Sequence, residues 1–154
     1  MKMFPTLVLA CLAMAATAAG APYNETADAK LEIRQALAKG ATNQTSIIIV
    51  FGANWCGDCQ TLHRAMTSGT SAPLLAHDFQ VVKVDVGHFD KNLEVAKSYG
   101  VPLEKGIPAM AILSSRNEVL YVTRDGELAN AQKMGDSGIY EFLKRVTASA
   151  KTKK

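Results

Sequence analysis

Two cysteines in this chain stand in the tightest spacing at which a thiol pair can act together. They are Cys56 and Cys59, in the run Trp55-Cys56-Gly57-Asp58-Cys59. A thiolate attacks a disulfide through a mixed-disulfide intermediate, and a second thiol one helical turn away can then displace it. The run follows the β-branched stretch Ser46-Ile47-Ile48-Ile49-Val50-Phe51 and the breaker Gly52-Ala53-Asn54. A strand therefore gives way to a helix at Cys56, whose sulfur meets the free N–H groups and positive end of that helix. Such positions lower a cysteine pKa from about 8.5 into a range of about 3.5–7.5. Trp55 supplies an apolar wall beside the sulfur, and Gly57 leaves room for a substrate. Asp58 suits the first turn of a helix but opposes the help that the dipole gives the Cys56 thiolate. It predicts a more reducing pair than a neutral or basic residue would give.

The other ionisable groups offer weaker alternatives. Cys56, Cys59 and His63 fall along one helix and, with His88, would make four metal ligands. A structural zinc site would carry a second Cys-x-x-Cys pair, which the chain lacks, so no metal is expected. Haem attachment fails because Gln60, not histidine, follows Cys59. Cysteine hydrolase chemistry needs a base that orients a single thiol, whereas exchange explains the pair. His77 and His88 are expected to face solvent. A module that binds partners without turnover is the remaining rival, and the intact pair argues against it.

The N-terminus bears on where the pair works. Met1-Lys2-Met3, an apolar run centred on Leu7 to Ala16, and Ala15-Ala16-Thr17-Ala18-Ala19-Gly20-Ala21 form a secretory signal peptide, residues 1–20. Cleavage after Ala18, Ala19 or Ala21 fits this pattern. The apolar part is about ten residues, where a membrane span needs about 20, so no stable insertion is expected after cleavage. The precursor has three cysteines, and loss of Cys11 with the leader leaves the redox-spaced pair. A bridge closing so short a loop stabilises a fold little, which again points to chemistry. Periplasmic or secreted localisation follows as the expectation.

The rest of the chain must position the pair. At 154 residues, 48% hydrophobic and 20% charged, it has the composition of a globular protein rather than a disordered one. Residues 21–154 read as a single domain with a short basic tail. Three of the seventeen Lys and Arg residues are Lys151, Lys153 and Lys154, so the body is nearly neutral and no nucleic-acid partner is expected. The tail reads as a solvated end.

Helices are predicted over Asp28–Lys39, ended by Gly40, then from Cys56 to about Met66, over Asn92–Tyr99, and around Ile139, Phe142, Leu143 and Val146, with a short helical turn over Ser71–His77. Strands are predicted at Ser46–Phe51, Gln80–Val86, Ala109–Leu113 and Glu118–Thr123, the last two joined by a hairpin turn at Ser114–Asn117. This order implies an α/β fold with a central mixed sheet of four to five strands and helices on both faces.

Trp-Cys-Gly-x-Cys after a buried strand, with Gly106-Ile107-Pro108-Ala109 opening a later one, resembles the thioredoxin superfamily from about Ala27 to Val146. The signal peptide and Cys-Gly-Asp-Cys resemble, more narrowly, secreted bacterial disulfide isomerases of that group. The resemblance implies a thioredoxin fold and thiol–disulfide exchange without a bound cofactor, the dithiol itself carrying the electrons. It implies a cis Ile107–Pro108 bond beside the cysteines, with the preceding backbone positioning substrate as an added strand. Implied partners are disulfide-bearing client proteins and a membrane or soluble thiol electron donor.

Lys83 matches the family's buried strand lysine, a proton-relay candidate and equally a snorkelling lysine on a half-buried strand. The chain departs from the family in three places. Asp58 replaces a proline between the cysteines. Arg64 replaces a helix proline. Val50 replaces the buried aspartate that accepts the second cysteine's proton. Leu103-Glu104-Lys105 and the stretch Asp125–Asp136 read as additions near the active face, with the pattern of ordinary loop.

Overall fold

A computed structural model describes residues 20–153. The apolar leader and Cys11 lie outside the described residues. Helix α1 (Ala29–Asn43) starts where Asp28 caps it, Oδ1 accepting the Leu31 N–H at 3.0 Å. The predicted stop at Gly40 is not a stop. The helix runs on to Asn43 and ends at Gln44, φ 57°. Gly40 is there for close packing, since a Cβ on it would lie 2.8 Å from the Thr45 carbonyl oxygen and 2.9 Å from Ile47 Cδ1.

Strand β1 (Ser46–Gly52) is buried along its whole length, as its β-branched run predicts. Helices α2 (Gly57–Thr67) and α3 (Ala72–Ala76) follow, then strand β2 (Phe79–Asp85) and helix α4 (Leu93–Ser98). A 3-10 turn (Leu103–Lys105), the hairpin β3 (Ala109–Leu113) and β4 (Val119–Val122), and helix α5 (Ala131–Lys151) complete the chain. The sheet order is β2-β1-β3-β4, with β1 parallel to β2 and antiparallel to β3.

Side chains alternate across β1 and so divide the core. Ile47, Ile49 and Phe51 pack with Ile33 and Ala36 of α1 and Val95 and Ala96 of α4. Ile48 and Val50 pack with Leu62 and Met66 of α2 and Ile139, Phe142 and Leu143 of α5. Each large aliphatic or aromatic side chain so buried contributes roughly 1.5–3 kcal/mol. The core thus outweighs whatever stability a bridge between two cysteines three residues apart adds.

Three stretches read as loop or free end are more ordered than their composition indicates. Within Asp125–Asp136, Leu128 and Ala131 are fully buried and anchor the segment, so α5 begins at Ala131 and kinks at Gly135 (φ 64°, ψ 179°). Leu103 is likewise buried beneath its 3-10 turn. In the basic tail, Lys151 is the last residue of α5 and pairs with Asp78, while Lys153 Nζ donates to the Leu120 carbonyl at 3.2 Å. No helix among the described residues is long and apolar enough to cross a membrane.

Candidate active site

The strand-to-helix junction puts Cys56 at the N-cap of α2, in extended conformation (φ −83°, ψ 114°). Its sulfur accepts the Cys59 backbone N–H at 3.1 Å. A helix amide and the helix dipole thus converge on the atom that would carry thiolate charge. Cys56 and Cys59 are joined as a disulfide, Cα to Cα 5.2 Å. Cys56 lies near the surface at 6% exposure, and Cys59 is at 0%. The Ile107–Pro108 bond is cis, and the Ile107 carbonyl oxygen lies 3.7 Å from Cys56 Sγ. The proline turn, remote in sequence, therefore stands against the first cysteine.

Trp55 is half exposed. Its Nε1 donates to the Gly87 carbonyl at 2.8 Å and its ring stacks on His88, centroids 5.3 Å apart and planes within 2°. Phe89 flanks it at 6.3 Å. An aromatic ledge thus borders the disulfide. Gly57 does less for substrate than its exposure indicates, since the space over it holds Gln132, whose Nε2 would lie 2.5 Å from a Cβ there.

Asp58 Oδ1 accepts the Gln132 backbone N–H at 2.8 Å, in the first turn of α5. Its carboxylate is therefore answered by a second helix's N-terminal amide as well as by its own helix. That arrangement weakens its opposition to a Cys56 thiolate, compared with a carboxylate left free in the first turn.

Lys83 lies on the same sheet face as Val50, its register partner on β1. Burial lowers its ammonium pKa to about 8, and its Nζ meets His63 Nδ1 from α2. His63 is thus a half-buried neighbour of Lys83, and His88 is Trp55's stacking partner. Among the described residues no group of three or more His, Cys, Asp or Glu is placed to hold a metal ion.

Four residues near the pair escape the sequence reading. Gln132 carried no signal, being far along the chain in a stretch of loop-like composition. Asn54 looked only like a strand breaker, yet its side-chain amide clamps Tyr23, accepting the Tyr23 N–H at 2.9 Å and donating to the Tyr23 carbonyl at 2.8 Å. Tyr23 sits just after the stretch predicted as a leader, with nothing in its surroundings to mark it. It is buried, and its hydroxyl reaches the space above Gly52 beside Cys59 Sγ. Asp85 did leave a signal, a carboxylate in the otherwise apolar strand end Val84-Asp85-Val86, and it is 4% exposed.

The family model for thioredoxin-like proteins matches residues 28–115. The chain is similar to a solved disulphide isomerase from Xylella fastidiosa, at 46% identity and a TM-score of 0.80, covering 84% of this chain and 99% of that one. A thioredoxin from Thermus thermophilus shares the fold at 22% identity and a TM-score of 0.52, over 75% of this chain and 81% of that one. None of the curated proteins matches the chain.

Proposed function

The chain belongs to the thioredoxin-like family, and from that premise we propose that it is a thiol–disulfide oxidoreductase working on protein disulfides as a reductase or isomerase. One observation carries the reading. Cys56 Sγ sits at a helix N-cap with a backbone N–H aimed at it, paired with Cys59 in a disulfide. In the reduced protein, the Cys56 thiolate attacks a client disulfide and releases one client thiolate. The Cys59 thiolate then attacks Cys56 Sγ, restoring the Cys56–Cys59 disulfide and releasing the second client thiolate. Two electrons pass to the client, and no bound cofactor is needed.

The remaining residues take supporting roles. Ile107 and Pro108 present backbone beside Cys56, where an extended client segment pairs as an added strand. Trp55 offers apolar surface next to the sulfur, and Gly57 with Asp58 shapes the first turn of α2. The similar Xylella fastidiosa protein is a disulphide isomerase, which favours isomerase or reductase over oxidase. The apolar leader favours work in the periplasm or outside the cell, where a membrane or soluble thiol donor would recharge the pair.

Reduction of insulin tests the reading, with Cys56→Ser expected to be inactive; full activity in that variant would sink it. The reduction potential sets the direction. A value near about −270 mV makes the pair a reductant that depends on an electron feed, and one near about −120 mV makes it an oxidant.

A further inference from the structure

Cys59 is fully buried, so its proton has no direct path to bulk water when the resolving thiolate must form. On the adjoining strand position, Val50 offers no acceptor. The nearest built alternative lies one strand over. Gly52 and Asp85 are register partners in the parallel pair of β1 and β2, so they share a sheet face at a strand spacing of about 4.8 Å. Asp85 is 4% exposed, and its Oδ2 makes no hydrogen bond. A buried carboxylate oxygen met by the Lys91 ammonium at 3.6 Å but by no hydrogen bond calls for a reason.

Tyr23 lies near both groups, its hydroxyl over Gly52 on the side of Cys59 Sγ and close enough to Asp85 to feel its charge. Because Gly52 has no side chain, Tyr23 Oη occupies the space above it. A Cβ on Gly52 would collide with that oxygen and lie 2.9 Å from Cys59 Sγ. The tyrosine is held there by Asn54, the residue that also links the strand end to α2, since its carbonyl accepts from Gln60 Nε2 at 2.6 Å. Burial, and then the Asp85 carboxylate, raise the Tyr23 pKa, so the hydroxyl keeps its proton and can only pass one along.

We propose that Asp85, acting through the Tyr23 hydroxyl, takes the proton of Cys59 as the resolving thiolate forms. The inference rests on the reading that Cys56 and Cys59 exchange disulfides. Tyr23 accepts the Cys59 proton while giving its own to Asp85. The Cys59 thiolate then attacks Cys56 Sγ of the mixed disulfide, forming the Cys56–Cys59 bond and breaking the bond to the client sulfur. The client thiolate that leaves takes up a proton, and Asp85 returns to its carboxylate by releasing one. The charged and titratable groups facing Asp85 are few. Lys91 Nζ, from the loop after β2, lies 3.6 Å from Oδ2. Tyr23 comes from the N-terminal segment and Cys59 from α2. Lys83, with His63 against it, lies two residues back on the same face of β2.

The test mixes reduced protein with glutathione disulfide in a stopped-flow cell across a pH series, following the single tryptophan, Trp55. Acid-quenched samples are weighed by mass spectrometry. Asp85→Asn is expected to slow resolution about a hundredfold and to accumulate the Cys56–glutathione mixed disulfide. Tyr23→Phe, which keeps the ring, is expected to slow it in the same direction by less.

Wild-type resolution in both Asp85→Asn and Tyr23→Phe, with no mixed disulfide, overturns the inference. Should Asp85→Asn not fold, Tyr23→Phe decides: slowed resolution with accumulated mixed disulfide supports the relay, and wild-type resolution overturns it. Activity in Cys56→Ser would instead overturn the exchange reading itself, so the two failures are told apart.

Discussion

The two sulfurs of one motif, three residues apart, sit in different kinds of matter. Cys56, only 6% exposed, lies at the rim of the core, bordered by an exposed aromatic ledge, a helix amide, and the Ile107 carbonyl at 3.7 Å. Around Cys59 the structure is core, with Tyr23 Oη and the Cys59 sulfur both crowding the space above the bare backbone of Gly52 and Asp85 on the neighbouring strand. The difference assigns the labour. A sulfur that meets clients needs approach and a stabilised charge, and a sulfur that resolves needs concealment from competing clients and a private route for its proton. The spacing of the motif makes this division unavoidable, because one turn of helix carries the second cysteine from the rim onto the sheet.

The largest effect comes from removing one sulfur and leaving the other. Cys59→Ser leaves Cys56 able to attack but removes the group that releases the client. Stable Cys56–client mixed disulfides are expected on non-reducing gels, dissolved by dithiothreitol. Cys56→Ser is expected to trap nothing, since Cys59 is out of reach. Equal trapping by the two variants would erase the distinction between rim and core.

A single methyl group sharpens the same contrast. Gly52→Ala would drive a carbon into Tyr23 and against Cys59 Sγ, and overpacking of this kind costs about 1–3 kcal/mol. Gly57→Ala meets only the far end of Gln132 on the exposed side, and its cost is expected to be the smaller of the two. Denaturant midpoints for both variants check the order. A Gly52→Ala protein as stable as wild type would mean that Tyr23 swings away freely, and the relay would lose its anchor.

How much of this was legible in the sequence follows the same line between local and distant. The disulfide pair, the N-cap placement of Cys56 and the four strands were readable, because each is written in contiguous residues: a β-branched run, a breaker, a short spacing. The proline turn was readable only through resemblance, as no local pattern ties Ile107 to Cys56. Tyr23, Gln132 and the Asn54 clamp were not readable, because they reach the site by tertiary contact from segments whose composition resembles loop. Gly40 misled for a related reason. A glycine that ends a helix and one that admits a strand look alike until the neighbouring strand is placed. Asp85 stood in plain view within an apolar strand, but its face depended on the register with β1.

Asp58 joins the two regions, so its charge tests how separate they are. Asp58→Asn keeps an acceptor for the Gln132 N–H and removes only the charge at two helix N-termini. A loss of about 0.3–1 kcal/mol is expected, readable by denaturation. The reduction potential is expected to become more oxidising, by less than about 30 mV, or about 1.4 kcal/mol, because the freed thiolate gains while α5 already held much of the carboxylate. A shift well beyond that would show the charge acting on Cys56 directly.

The smallest expected effect belongs to Lys83, and its sign follows from burial. Its pKa is near 8 in the folded protein, against an ordinary 10.5. Between those values the unfolded chain still holds a proton that the folded chain has released, so stability rises with pH across that window. Below about 8 both states are protonated, and the fold carries the full cost of a half-buried ammonium. Above 10.5 neither state carries the charge. Water reaching the partly exposed amine keeps the slope shallow. Lys83→Met is therefore expected to be somewhat more stable than wild type at neutral pH and to flatten the rise, measured as denaturant midpoints over a pH series. The same variant settles which side of the comparison Lys83 serves. Slower release of mixed disulfides would place it beside Asp85 in handling the Cys59 proton. Unchanged release with a lost pH slope would leave it a cation lodged against His63, tolerated by the core without contributing to the exchange.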